Sequence, residues 1–266
     1  VQIEARPTNS AVINDGDPNN NTPAGLYSSP DNPKARPVVS IKRRKPDLVS
    51  KLAFPAPKAD FRYYTESRAF RHPGFRILRV EGHQRIPVIL YKCESKTSKS
   101  RPFTLLYSHG NGEDIFLNHE RCQQLANRTG CNVLAYDYIG YSLSKFEGWP
   151  PSEKSCYKSI DTAYRYLTDN LKISPDKIVL YGRSIGSGPT IHIASRRHCR
   201  DAVAGVVVEC GILSAIKTQI HGAAILARPF DIFVNEIKVA KIARPTCFLH
   251  GAQDRVVPHG HGVRLH

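Results

Sequence analysis

The sequence has no methionine, a single tryptophan and no apolar run near the ~18 residues that a membrane-spanning helix requires. It begins, at Val1, without a charged-then-apolar signal sequence and without a myristoylation glycine. Because an initiator methionine is also absent, the chain is expected to be a fragment. We expect a cytoplasmic rather than a secreted protein, with peripheral membrane contact as a further expectation.

Paired cysteines are absent as well. The seven cysteines are spread over the chain, and none lies in a Cys-x-x-Cys pair. This pattern indicates neither a disulfide framework nor a zinc site. We therefore expect free and mostly buried thiols, no metal and no cofactor.

Acidic residues are scarce relative to basic ones. The chain has 38 Lys and Arg against 23 Asp and Glu, a formal net charge of +15, and such a surface attracts polyanions. The basic residues are scattered except for Lys42, Arg43, Arg44 and Lys45, and no nucleic-acid-binding signature accompanies them. We expect no nucleic-acid partner. The cluster is either a solvated charge run or a contact with an anionic membrane surface.

The composition divides the chain into two regions. Residues 1–49 are rich in Asn, Pro, Asp and Ser, and they contain too little apolar surface to offset the entropy of ordering. They are predicted to form a disordered, basic and polar tail. Residues 50–266 have the pattern of one compact domain.

Predicted strands and helices alternate within this domain. Apolar and β-branched runs predict strands at residues 75–80, 86–91, 103–108, 132–136, 177–181, 205–208 and 246–250. Helical patterns occupy residues 116–128, 151–170 and 187–197, with a less regular stretch at 212–240. The alternation predicts an α/β fold with a mostly parallel sheet and helices on both faces. The first two strands, joined without a helix, should form an antiparallel edge.

The sharpest feature is Gly182-Arg183-Ser184-Ile185-Gly186, which follows a β-branched strand and precedes a helical segment. The two glycines leave room for a tight strand-to-helix turn that exposes the serine above the sheet. This arrangement is typical of a nucleophile elbow, and Ser184 is the predicted nucleophile.

Acyl transfer also needs NH donors for the developing oxyanion. The NH of Ile185, directly after the nucleophile, is the first candidate. The second is expected from Asn111 or Gly112, in the glycine-containing loop that follows the strand at 103–108. His109, which closes that strand, is predicted to shape the loop rather than to act as the base.

Asp254 is the candidate acid, because it follows the last predicted strand at the edge where the active sites of open α/β sheets lie. It would orient an imidazole and stabilise its charged form. The histidine should come after the acid, and the intervening helix, strand and loops need about 25 residues. Only 12 residues follow Asp254, so His259, His261 and His266 are too near. The base is expected beyond residue 266, and the domain is expected to lack its last helix and strand.

Several short segments together resemble one family. They are Tyr136-Asp137-Tyr138-Ile139-Gly140-Tyr141-Ser142, Pro151-Ser152-Glu153, Ile173-Ser174-Pro175-Asp176-Lys177, the elbow, and His250-Gly251-Ala252-Gln253-Asp254. Their order and spacing are similar to those of the α/β-hydrolase-domain proteins that depalmitoylate membrane-associated proteins, a group related to prolyl-oligopeptidase-type serine peptidases. The resemblance covers roughly residues 50–266.

The resemblance implies an α/β-hydrolase fold and a thioesterase that acts on S-acylated cysteines at a membrane surface. It implies Ser184 as nucleophile, Asp254 as acid, a histidine past residue 266, and a short or absent lid. The family's palmitoylated cysteine cluster lies near the N-terminus, whereas the first cysteine here is Cys93. The expected substrate is an acylated protein or a small acyl ester.

Two other functions are compatible with these residues. A prolyl-oligopeptidase-like serine peptidase shares the elbow and the triad order, but the chain contains no propeller to select peptides. A noncatalytic hydrolase-fold binding module would not need a histidine, yet it would have no chemical need for an elbow serine, an oxyanion loop and an acid together. Whether residues 212–233 form a cap, and whether Glu209-Cys210-Gly211 lines the pocket, are left open.

Overall fold

The computed structural model describes residues 3–4, 53–82, 84–94, 102–215 and 231–266. The basic cluster at residues 42–45, nearly all of the predicted tail and most of the possible cap lie outside these residues. Those expectations therefore stay predictions.

The strands follow the predicted ones closely. In chain order they are β1 (Ile3–Glu4), β2 (Phe75–Arg79), β3 (Arg85–Tyr91), β4 (Thr104–Ser108), β5 (Asn132–Tyr136), β6 (Ile178–Arg183), β7 (Gly205–Glu209) and β8 (Thr246–Leu249). β4 is buried at every position and β5 at every position after its first, as expected for strands that are covered on both faces.

The strands form one sheet in the order β1-β2-β3-β5-β4-β6-β7-β8. The neighbouring strands β1–β2, β2–β3 and β3–β5 pair antiparallel. The neighbours β5–β4, β4–β6, β6–β7 and β7–β8 pair parallel. The mostly parallel sheet and its antiparallel portion are thus confirmed, with the two residues of β1 added outside β2. The chain leaves β4 on one side, to β5, and returns on the other, to β6, so a ligand crevice is expected where these two strands end.

Helices cover both faces of the sheet. Within the described residues they are α1 (Phe61–Glu66), α2 (His119–Thr129), α3 (Glu153–Arg165), α4 (Ser187–Ala194), α5 (Arg197–Arg200), α6 (Asn235–Lys238) and α7 (Gly260–Leu265). One apolar cluster contains Tyr64 of α1 and Cys122 of α2. The other contains Ile160 of α3 and Ile191 of α4. The expected three-layer arrangement is therefore confirmed.

Local hydrogen bonds set the helix boundaries that the periodicity misplaced. The carboxylate of Asp114 accepts the NH groups of Phe116 and Leu117 at 3.0 and 2.9 Å. Because this turn precedes the helix, α2 begins three residues later than the pattern predicts. Ser152 and Ser155 cap each other reciprocally at the start of α3. Among the described helices, none combines the length and the apolar character needed to cross a bilayer.

Candidate active site

Ser184 lies at a strained turn directly after β6. Its φ is +52°, in the left-handed region that residues with a Cβ rarely adopt. A 3-10 turn over Ser184–Gly186 leads into α4, and the Ser187 hydroxyl donates a 2.6 Å hydrogen bond to the Ser184 carbonyl. The serine is half-buried. This is the strand, turn and helix geometry of a nucleophile elbow.

The glycines of the motif are required by close backbone packing. A Cβ on Gly186 would lie 2.2 Å from the carbonyl oxygen of Ser108 and 2.6 Å from that of His109. A Cβ on Gly182 would lie 2.6 Å from the carbonyl oxygen of Gly186. The elbow therefore packs directly on the end of β4, where the oxyanion loop begins.

The oxyanion loop, residues 109–112, is held by the side chain of Asn111. This side chain donates to the carbonyl of Ala53 at 2.8 Å and accepts from the hydroxyl of Tyr141 at 3.0 Å. Its Oδ1 also accepts the NH of Gly112 at 3.2 Å. That contact engages the NH of Gly112, one of the two candidates for the second oxyanion donor, within the loop itself.

His109 is fully buried at the start of this loop. Its Nε2 lies 3.2 Å from a carboxylate oxygen of Asp137, and its Nδ1 donates to the carbonyl of Gly110 at 2.8 Å. Burial opposes protonation, but the hydrogen bond and the charge of Asp137 raise the pKa of His109 above its ordinary value. The ring stacks against Tyr138 at 4.3 Å between centroids. These contacts fit a residue that shapes the loop.

A second buried carboxylate lies behind the loop. Asp114 accepts the Tyr64 hydroxyl at 3.0 Å and is enclosed by the protein. Burial and the nearby charge of Asp137 raise the pKa of Asp114 to about 6. Two carboxylates thus share one enclosed region, and sequence periodicity gave no signal for this pair.

Asp254 follows β8 in a loop, with 17% of its side chain exposed. Its Oδ1 accepts the NH groups of Val256 and Val257 at 2.8 and 2.9 Å. Burial opposes ionisation, yet these backbone hydrogen bonds hold the pKa of Asp254 below its usual value. The carboxylate is therefore charged and oriented, as the acid of a catalytic triad must be.

Cys210, His250 and Asp254 place donor atoms within 4.8 Å of one another. Nε2 of His250 lies 2.8 Å from the carbonyl oxygen of Val257, and a carbonyl only accepts, so this nitrogen carries the proton. The other nitrogen lies against Gly262, where a Cβ would be 2.6 Å away. The lone pair of the neutral imidazole is therefore on Nδ1, next to Gly262, whereas Nε2, which lies 3.8 Å from Oδ2 of Asp254, carries the proton.

The remaining histidines after the acid lie around α7. His259 precedes the helix and is exposed, and His266 follows it and is also exposed. His261 is buried and accepts the NH of Leu213 at 3.2 Å on Nδ1. All three therefore lie within or next to the helix that follows the Asp254 loop.

The sequence analysis missed a network of charged side chains beside the elbow. Arg183 pairs with Glu113, which follows the oxyanion loop, and with Glu209 at the end of β7. Arg121 and the Tyr181 hydroxyl each contact Glu209 at 2.8 Å. These residues come from four separate segments, so no local spacing could indicate their proximity.

Comparisons with known proteins agree with this geometry. No protein-family model matches the chain. The chain is 32% identical over 188 residues to the α/β hydrolase domain-containing protein 17C of Mus musculus. The aligned region covers 71% of this chain and 55% of the relative. The human protein of the same name is also 32% identical, and the aligned region covers 71% of this chain and 54% of that protein. The chain spans about half the length of the curated relatives it matches.

Solved structures share the architecture. An α/β hydrolase from Vibrio vulnificus superposes with a TM-score of 0.59 at 19% identity, over 84% of this chain and 75% of that one. This chain has the α/β-hydrolase fold. A puromycin hydrolase also shares this fold, with a TM-score of 0.54 at 14% identity, and the match covers 73% of this chain and 32% of that one. At such low identity these likenesses concern the fold alone.

Proposed function

We propose that this hydrolase cleaves acyl thioesters or esters through an acyl-enzyme on Ser184, and that its reaction is protein depalmitoylation. The observation that carries the proposal is the positive φ of Ser184, enforced by glycines on both sides and followed directly by a helix. This geometry presents a hydroxyl at the edge of the sheet where Asp254 and the oxyanion loop also lie. The choice of substrate class rests on the resemblance of the sequence motifs to those of the depalmitoylating α/β-hydrolase-domain proteins.

In the proposed reaction, Ser184 Oγ attacks the carbonyl carbon of the thioester while an imidazole base accepts its proton. The carbonyl oxygen becomes an oxyanion, stabilised by the NH groups of Ile185 and Asn111. The tetrahedral intermediate collapses, and the thiol leaves with the proton from the imidazolium. Water, which gives a proton to the imidazole, then attacks the acyl-enzyme carbonyl, and Ser184 Oγ leaves with that proton as the carboxylic acid is released. Asp254 orients the imidazole and stabilises its charge.

The base is proposed to be a histidine that follows residue 266 in the natural protein. His109 and His261 are buried and engaged by other groups, and His250 directs its Nε2 proton to Val257. A histidine that accepts the serine proton needs a free ring nitrogen facing Ser184. The proposal also retains the basic cluster at residues 42–45 as a contact for an anionic membrane surface.

Reaction with a fluorescent fluorophosphonate tests the nucleophile. Wild-type protein and the Ser184→Ala variant are compared, each as the 266-residue chain and as the full-length chain. Ser174→Ala is the matched control, because Ser174 is exposed and lies outside the elbow sequence. We expect labelling of the full-length chain that Ser184→Ala abolishes and Ser174→Ala preserves. The 266-residue chain should be labelled weakly.

A substrate comparison then separates the competing functions. Full-length protein is given an S-palmitoylated peptide, p-nitrophenyl esters of several chain lengths, and an aminoacyl p-nitroanilide. Preference for the palmitoyl thioester supports depalmitoylation, and preference for the anilide would assign a peptidase. An unlabelled full-length chain that hydrolyses none of these substrates would assign a noncatalytic binding module. Strong labelling of the 266-residue chain would show that one of its own histidines is the base.

A further inference from the structure

The side chain that precedes the nucleophile is held within the protein at the sheet edge. Arg183, between Gly182 and Ser184, is only 31% exposed. Its Nη1 donates to a carboxylate oxygen of Glu113, and its Nε lies 3.5 Å from a carboxylate oxygen of Glu209. The guanidinium therefore bridges the segment after β4 and the end of β7, while its own backbone belongs to the elbow.

Glu113 carries this connection into the oxyanion loop. Its Oε2 accepts the NH of Gly110 at 3.2 Å and the amide of Asn118 at 3.1 Å. Burial opposes ionisation, but the hydrogen bonds from Arg183 and Asn118 lower the pKa of Glu113, so it stays charged near neutral pH. A single carboxylate thus binds the elbow arginine and the backbone of the loop.

The loop also packs on this ion pair directly. A Cβ on Gly110 would lie 3.1 Å from Nη1 of Arg183 and 3.2 Å from Oε2 of Glu113. The backbone at Gly110 is thus in van der Waals reach of both charged groups. A shift of the guanidinium would move the residue that immediately precedes Asn111, the proposed oxyanion donor.

We propose that Arg183 is a positioning residue, which fixes the oxyanion loop relative to the Ser184 elbow through its ion pair with Glu113. The inference rests on the proposed function, because it concerns the NH groups that would stabilise the oxyanion. Oxyanion donors act only when they are held in place before the charge develops, and a displacement of about 1 Å is enough to cost a large part of the rate. The ion pair is partly buried and shares its charges with Glu209 and Arg121, which distinguishes it from an isolated surface pair.

A double-mutant cycle tests this role in the full-length protein. The variants Arg183→Gln, Glu113→Gln and the double variant are assayed with a p-nitrophenyl ester, and kcat and KM are measured separately. Each single variant is expected to lower kcat by about 10- to 100-fold with KM changed by less than about 3-fold, because the donors act on the transition state. If Arg183 acts through Glu113, the double variant loses no more than the larger single loss.

Two further variants distinguish positioning from stability. Arg183→Lys keeps a cation that can reach Glu113 and should restore most of kcat. Arg196→Gln removes another partly exposed ion pair, with Asp161 at 2.7 Å, between α3 and the segment that follows α4, and should leave kcat unchanged. Thermal midpoints of all variants are measured, and the loss of kcat should not follow them.

The outcomes separate this inference from the proposed function. A wild-type protein that neither reacts with fluorophosphonate nor hydrolyses esters refutes both. An active wild type whose Arg183→Gln variant keeps its kcat, or whose double variant loses the product of the two single losses, refutes the positioning role and leaves the hydrolase proposal intact. A rise in KM alone would instead place Arg183 in substrate binding.

Discussion

The strain at the elbow can be measured by comparing two substitutions of the nucleophile. Ser184→Gly and Ser184→Ala both remove the hydroxyl and differ only in the Cβ. At φ +52°, the backbone strain of a residue with a Cβ costs about 1–2 kcal/mol of stability, whereas glycine destabilises the fold by about 0.4–1 kcal/mol because its unfolded chain is more flexible. We therefore expect the glycine variant to be more stable than the alanine variant by about 0.5–1 kcal/mol.

The matched control is Ser174, which is exposed and has an ordinary φ of −63°. There the order should reverse, with Ser174→Gly less stable than Ser174→Ala by about 0.4–1 kcal/mol. Urea denaturation with equal m-values within each pair gives both differences. If alanine were the more stable residue at both positions, Ser184 would not be strained in solution, and the elbow geometry inferred from its backbone would be wrong.

Two predictions concern carboxylates at the site. Asp254→Asn keeps an Oδ1 that accepts the Val256 and Val257 NH groups, so the loop should fold normally. The kcat of the full-length protein should fall by about 10³- to 10⁴-fold, because the imidazole loses its charged partner. An unchanged kcat would mean that another residue is the acid. Asp114→Asn tests the buried pair. Because the folded-state pKa of Asp114 is raised to about 6, wild type loses stability as pH rises from about 4 to 6, whereas the variant should lack this fall. The free energy of unfolding of Asp114→Asn, relative to that of wild type, should therefore increase by on the order of 2 kcal/mol between pH 4.5 and 7.5, as measured by urea unfolding. A difference between the two proteins that is the same at both pH values would contradict the raised pKa of Asp114.

Strong local patterns predicted most of the fold. The apolar and β-branched runs placed the seven major strands to within about two residues. The signal is strongest for β4 and β5, because a strand buried on both faces must be apolar almost throughout. The helix at residues 151–170 was predicted as one element, but α3 ends at Arg165 and continues as a π-turn over Tyr166–Asn170. Periodicity cannot distinguish these two, since both place side chains on similar faces.

Local motifs and strand ends predicted several residues of the candidate site, but not the side-chain contacts between distant segments. The elbow is contiguous, so Gly182, Ser184 and Gly186 were found together. The partners of Arg183 were not, because Glu113 is 70 residues away and the contact depends on the order of β4, β6 and β7 in the sheet. Charged residues of ordinary composition become a network only through that order.

A positive φ does not by itself identify a functional residue in this chain. Lys172, an exposed residue before β6, has φ +54°, and Cys210, after β7, has φ +47°. What distinguishes Ser184 is close backbone packing on both sides of its turn: Gly182 packs against Gly186, and Gly186 packs against the end of β4. A turn at the surface can relax when its residue changes, whereas this one is fixed on both sides, so the strain is maintained by the core packing rather than by the serine itself.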